Sequence, residues 1–244
     1  MPINILVNGA FGRMGQMTVK TISEHSNFNL VGQTGRDYDL KKSIRDSQAQ
    51  VVIDFTTAET VFQNCLTIIE TGAHPVIGTS GLATDQVDTL RKQCAELKLG
   101  GVIAPNFSIG GVLMMKHAKQ IAKYMSHVEI IEMHHNNKID SPSATALRSV
   151  EMLAETQQPF NQPVKPLHEI IPGSRGASYC NIPIHAIRLP GLLAHQQIIF
   201  GNTGETLTLR HDSIDRQCFM PGVCLACEKV MKLDHLVFGL EEIL

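Results

Sequence analysis

No stretch of this chain approaches the roughly twenty consecutive apolar residues needed to cross a bilayer, and its start shows no charged segment leading into a long apolar one. Neither a membrane span nor an export leader is expected, and the reading is a cytoplasmic protein. Charge of one sign is lacking too: 21 Lys and Arg against 23 Asp and Glu leave a net of −2. That balance gives no basic stripe for nucleic acid or an acidic membrane surface, so a small molecule is the expected partner. Cysteine is sparse, six in 244 residues, below the density of a disulfide-stapled secreted domain. The six are read as reduced thiols. Cys224-Leu225-Ala226-Cys227 lies in an apolar helical stretch with no second pair of cysteines to complete a zinc site, and is read as core packing. No internal repeat or low-complexity tract is present.

What the chain has is a regular alternation. Apolar runs at 3–7, 28–33, 51–55, 75–77 and 102–104 read as strands, and helical spacing fills 12–25, 58–71 and 84–98. Strands that are apolar throughout, with helices between them, imply a parallel sheet covered on both faces. The expected fold class is α/β, a Rossmann-like doubly wound sheet. After Pro105-Asn106-Phe107-Ser108 the pattern changes to helix 109–125, strand 128–133 and helix 144–156. A Pro-, Gly- and Gln-rich loop follows over 157–178, then strand-like runs at 180–189, 196–200 and 206–211. This is α+β grammar and predicts a second domain with a mixed sheet over 108–215, after a first domain over 1–107. A last helix, near 223–233, can belong to either.

Directly after the first strand stands Gly9-Ala10-Phe11-Gly12-Arg13-Met14-Gly15. Glycines there allow a tight turn and close approach of backbone to a pyrophosphate, and the following helix offers unpaired N–H groups. The spacing, G-x-x-G-x-x-G, departs from the commoner G-x-G-x-x-G, so a plain strand-to-helix turn remains an alternative. At the end of the second strand, where dinucleotide folds read the ribose, stand Gly35-Arg36-Asp37. Arg36 suits a 2′-phosphate; a solvated Arg-Asp turn is the alternative, and NADPH is expected to serve at least as well as NADH. Gly78-Thr79-Ser80-Gly81 and Ala104-Pro105-Asn106-Phe107 sit where further strands should end, and both are candidate nicotinamide contacts.

The densest chemistry lies in Glu132-Met133-His134-His135-Asn136-Asn137-Lys138-Ile139-Asp140-Ser141-Pro142-Ser143-Ala144-Thr145. If the strand runs through both histidines, they point to opposite faces, which argues against one shared metal. A histidine can protonate a reacting atom and Lys138 can neutralise a carboxylate or donate a proton. Ser143, Ala144 and Thr145 at a helix start offer backbone N–H groups and a hydroxyl to a second carboxylate. A strand end, solvated loop and N-cap would leave the same residues.

In this order, the glycine turn, Asp54-Phe55-Thr56, Gly78-Thr79-Ser80-Gly81, Ala104 to Ser108 and the histidine segment resemble the 4-hydroxy-tetrahydrodipicolinate reductase (dihydrodipicolinate reductase) family of the diaminopimelate route to lysine. The resemblance runs nearly end to end. It implies an NAD(P)H-dependent reductase, a homotetramer, with residues 216–244 completing the nucleotide domain, and hydride passing to ring carbon C4 of a small cyclic dicarboxylate. It implies His134 and Lys138 as proton-handling residues, with His135, Ser143, Ala144 and Thr145 holding carboxylate. Gly9, Ala10, Phe11, Gly12, Arg13, Met14, Arg36, Gly78, Thr79, Ser80, Ala104, Pro105, Asn106 and Phe107 are implied on NADPH or NADH, with Arg216 and Phe219 closing near the nicotinamide.

Departures from the family pattern are Ala144 for glycine, Gly35 where some members carry an acid, Pro183 for glycine, and Leu193-Ala194-His195 for Gly-Glu-His. Two other classes stay open: a different two-domain nicotinamide oxidoreductase acting on an amino or oxo acid, and a sensor that grips NAD(P) without turnover.

Overall fold

The computed structural model describes residues 2–162 and 168–244 and divides into two compact units, Met1–Ile109 with Arg216–Leu244, and Gly110–Asp215. In the first unit β1 (Ile3–Asn8), β2 (Phe28–Thr34), β3 (Val51–Asp54), β4 (His74–Ile77) and β5 (Gly101–Ile103) alternate with α1 (Arg13–Glu24), α2 (Leu40–Ser47), α3 (Val61–Glu70) and α4 (Thr84–Leu97). A 3-10 turn (Arg216–Phe219), α7 (Met220–Val230) and β11 (Leu236–Phe238) complete it. The six strands are parallel in the order β11-β5-β4-β3-β1-β2. Ile5, Leu6, Val7, Val51, Val52, Ile53, Val76 and Ile77 are fully buried, as apolar strands covered on both faces must be. The strand order reverses across β1 and β3, and the carboxyl ends beside such a switch point are where open α/β sheets bind ligands.

Two elements of this unit escape sequence reading. α2 is only about two turns long; Leu40 and Ile44, one turn apart, are its apolar side, too short a repeat to stand out, and Asp39 caps it, its carboxylate accepting the Lys42 N–H at 2.9 Å. β11 is three residues long and gains its identity by pairing with β5.

The second unit holds α5 (Ile109–Ile121), β6 (His127–His134), α6 (Ala144–Ala154), β7 (Ala177–Tyr179), β8 (Ile182–Arg188), β9 (Ala194–Asn202) and β10 (Glu205–Ser213). The sheet order is β10-β9-β6-β8-β7; β6 and β8 run parallel and the other neighbours antiparallel, a mixed sheet. One face of β6 is buried through Val128, Ile130 and Glu132, and Gln196 of β9 donates to Ser149 of α6 at 2.7 Å. The strand expected from Cys180 in fact starts at Ile182. Cys180 and Asn181, at φ 49° and 62°, form the two-residue turn of a β7–β8 hairpin, the left-handed pair that matches strand twist. The loop expected over 157–178 includes residues 163–167, which lie outside the described residues, and its last two residues belong to β7. No helix among the described residues is long and apolar enough to cross a membrane.

Candidate active site

The carboxyl ends of the parallel strands are joined by side chains. Asp54, fully buried at the end of β3, accepts from Asn8 Nδ2 (2.8 Å), Asn64 Nδ2 (3.0 Å), Thr56 N (3.1 Å), Thr56 Oγ1 (2.7 Å) and Thr79 Oγ1 (2.6 Å). Thr34, ending β2, donates to Asn8 at 2.9 Å. One buried carboxylate thus ties β1, β3, the start of α3 and the loop after β4, with β2 joined through Asn8. All of its donors are neutral.

The glycine turn rests on this edge. Gly9 N and Ala10 N donate to Thr34 O at 2.9 and 3.0 Å, and Gly9 takes φ +78°. A Cβ on Gly9 would lie 2.3 Å from Phe55 O, and one on Gly15 2.0 Å from Gly9 O, so the chain's own packing demands both glycines. Gly12 differs: the nearest atom to an added Cβ is Gly9 O at 3.5 Å, and the residue is exposed. It is also the N-cap of α1, which has no side-chain cap and no acid in its first turn. Bare backbone at a helix N-terminus that the protein does not need for its own packing fits a dinucleotide pyrophosphate.

Arg13, Arg36, Ser80 and Pro105 are exposed; Met14, Gly78, Thr79 and Asn106 are half-buried. Ala10, Ala104 and Phe107 are buried. Phe107 packs edge-on to Phe55 with ring centroids 5.9 Å apart, and Asn106 Oδ1 accepts the Ser108 N–H at 2.8 Å.

In the second unit the histidine segment is organised around Glu132, which is fully buried. Arg188 grips its carboxylate with both guanidinium nitrogens, Nη2 to Oε1 at 2.7 Å and Nη1 to Oε2 at 2.8 Å. His134 Nδ1 lies 2.6 Å from Oε2, and Ser143 N donates to Oε1 at 3.1 Å. Burial alone would push the Glu132 carboxyl up, but the hydrogen bonds and charges of His134 and Arg188 together hold it below the usual glutamate range. The guanidinium is raised in turn, first by its bond to Glu132. With Nδ1 committed to the carboxylate, Nε2 is the nitrogen of His134 left for an outside partner.

β6 stops at His134, so His135 leaves the sheet and strand parity does not govern the pair. His135 O accepts the Lys138 N–H at 3.1 Å in the turn that follows. Lys138 Nζ is 2.7 Å from both carboxylate oxygens of Asp140, and this contact, ahead of the opposing effect of burial, lowers the Asp140 carboxyl. Asp140 O accepts from Arg188 Nη2 at 2.9 Å. Ser143 caps α6, its hydroxyl accepting the Ala146 N–H at 3.2 Å; Ala144 is exposed and Thr145 half-buried in the first turn. Glu132 thus joins His134 to Ser143 at the start of α6, and Arg188 joins Glu132 to Asp140, which holds Lys138.

Sequence reading left Glu132 and Arg188 out of the candidate site. The available signal was an acid on the buried parity of β6, which demands a cation. Among the described residues no group of His, Cys, Asp and Glu is arranged to hold a metal ion.

Comparison with known proteins adds an independent line. The family model for the N-terminus of dihydrodipicolinate reductase matches residues 3–107, and that for its C-terminus matches 110–244. 4-Hydroxy-tetrahydrodipicolinate reductases of Legionella pneumophila and Coxiella burnetii are each 52% identical over 245 residues, covering 100% of both chains. A solved structure, dipicolinate-bound dihydrodipicolinate reductase from Paenisporosarcina sp. TG-14, is 40% identical with a TM-score of 0.90 over 100% of each chain.

Proposed function

Because this chain belongs to the dihydrodipicolinate reductase family, we propose that it reduces 4-hydroxy-tetrahydrodipicolinate to tetrahydrodipicolinate at the expense of NAD(P)H. The observation that carries the chemistry is the Glu132-backed His134, tied through the same carboxylate to the start of α6 and through Arg188 and Asp140 to Lys138. Conversion of the hydroxylated ring to the product takes up a hydride and a proton and releases water, and two ring carboxylates must be held meanwhile. The dinucleotide, when bound, supplies the hydride. Gly9 to Met14 would hold its pyrophosphate, Arg36 the adenosine ribose, and 78–80 with the 104–107 backbone its nicotinamide end.

Glu132 fixes the His134 ring through Nδ1, so Nε2 is the atom that gives or takes the proton. Lys138 exchanges Asp140 for a substrate carboxylate or acts as the second proton donor. His135, the N–H groups of Ala144 and Thr145 and the Thr145 hydroxyl hold the other carboxylate. The Ala144 methyl, exposed at this point, narrows the space that a glycine would leave. The reading includes a homotetramer and a cytoplasmic location. A protein that only senses NAD(P) has no need of a proton donor, and the half-buried histidine set against a buried carboxylate counts against it.

Following NADPH absorbance with freshly generated hydroxytetrahydrodipicolinate tests the proposal. Dicarboxylate-dependent consumption is expected, and none would contradict it. His134→Ala and Lys138→Ala should each lower kcat by about 10²–10⁴-fold, the usual worth of general acid help, with cofactor binding intact.

A further inference from the structure

Two large aromatic side chains stand exposed beside the glycine turn. Phe11 is 55% and Tyr38 51% exposed, and their rings stack with centroids 5.8 Å apart. The Phe11 backbone is held on both sides. Gly9 N and Ala10 N bond Thr34 O, while Gln16 Nε2 donates to Phe11 O at 3.0 Å. Tyr38 is anchored by its own N–H to Gly35 O at 3.2 Å. The Phe11 ring closes over Gly35: a Cβ built there would lie 2.8 Å from Cδ2 and 3.2 Å from Cε2. Any side chain at 35 therefore has to displace the ring.

Position 35 follows the last residue of β2, the place from which dinucleotide folds send a carboxylate to a ribose 2′-hydroxyl. Here that place is filled by an aromatic ring from the neighbouring turn. The next residue, Arg36, is exposed and enters no ion pair among the described residues, and a guanidinium suits a 2′-phosphate. We propose that Phe11 is a steric guard on cofactor choice: wedged between Gly35 and Tyr38, it fills the space that a ribose-reading side chain at position 35 would need, so that Arg36 alone meets the ribose 2′ position and the 2′-phosphorylated dinucleotide is favoured. This rests on the cofactor site proposed above.

The test is equilibrium binding by calorimetry of adenosine 2′,5′-bisphosphate and of 5′-AMP, which report on this end of the site without turnover. Wild type should prefer the bisphosphate by about tenfold or more, the worth of one charge-assisted pair. Arg36→Ala should bring the ratio close to one. Phe11→Ala alone should keep the preference, since Arg36 remains, and Gly35→Glu alone should weaken both ligands without inverting it. Phe11→Ala with Gly35→Glu, which gives the carboxylate room, should invert it.

A nucleotide-independent arm uses Gly35→Ala, expected to lower Tm by about 2–4 °C and to be rescued by Phe11→Ala. Inversion by Gly35→Glu alone to the extent of the double variant, no wild-type preference, or an unchanged Tm in Gly35→Ala would each overturn the inference. Failure of wild type to bind either nucleotide would remove the cofactor site with it. The expected ratios without dicarboxylate-dependent NADPH consumption would leave it standing and remove the proposed reaction.

Discussion

Each unit buries one carboxylate completely near the end of a strand, and the two are satisfied in opposite ways. Asp54 has five donors on its carboxylate oxygens, from Asn8, Asn64, Thr56 and Thr79, and none carries charge. Glu132 has a bidentate guanidinium, an imidazole and one backbone N–H. A buried ion needs hydrogen bonds or countercharge. Neutral donors make a rigid tie between loops, whereas cations make a charged assembly whose histidine can exchange a proton. The first arrangement holds strand ends together; the second is the one proposed to serve proton transfer.

Removing one carboxylate and then the other exposes the contrast. Glu132→Gln leaves Arg188 without its countercharge in a largely buried place, and should cost about 3 kcal/mol or more in urea unfolding. Its effect should depend on pH. Because the folded protein holds the Glu132 carboxyl below its free value, it contributes stability at neutral pH that disappears as pH falls through the folded value. The gap between wild type and Glu132→Gln should therefore narrow in acid; a constant gap would show that the carboxylate's charge is irrelevant.

Asp54→Asn sets an amide donor against amide donors while removing a buried charge. It should cost less, about 1–2 kcal/mol, and appear chiefly as a raised KM for NADPH. Equal kcat losses in the two variants would erase the distinction. Smallest is Ser143→Ala, which deletes the α6 cap but keeps the backbone N–H on Glu132, for about 1 kcal/mol by thermal unfolding.

How far each network could be read beforehand follows from the period of its elements. The apolar runs at 51–55 and 75–77 announced buried parallel strands, and the parallel register then sets Asn8 opposite Asp54 and Asp54 opposite Ile77. Period 2 likewise puts Glu132 on the buried face with Ile130 and on the same side as His134. Arg188 is 56 residues away from Glu132, and only the β6–β8 pairing, His134 opposite Arg188, makes them neighbours. Phe11 and Gly35 show the same limit: each could be named from local sequence, but their contact comes from the β1–β2 pairing that sets Asn8 beside Thr34. The short elements α2 and β11 offer too few residues for a period to show.

The contrast between the two carboxylates is tested most directly by single-turnover oxidation of NADPH with saturating dicarboxylate in Glu132→Gln and Asp54→Asn side by side. The hydride-transfer rate should fall at least about tenfold in Glu132→Gln, where general acid help is impaired, and stay near wild type in Asp54→Asn once NADPH is saturating. An unchanged rate in Glu132→Gln, or an equal fall in both, would contradict the account.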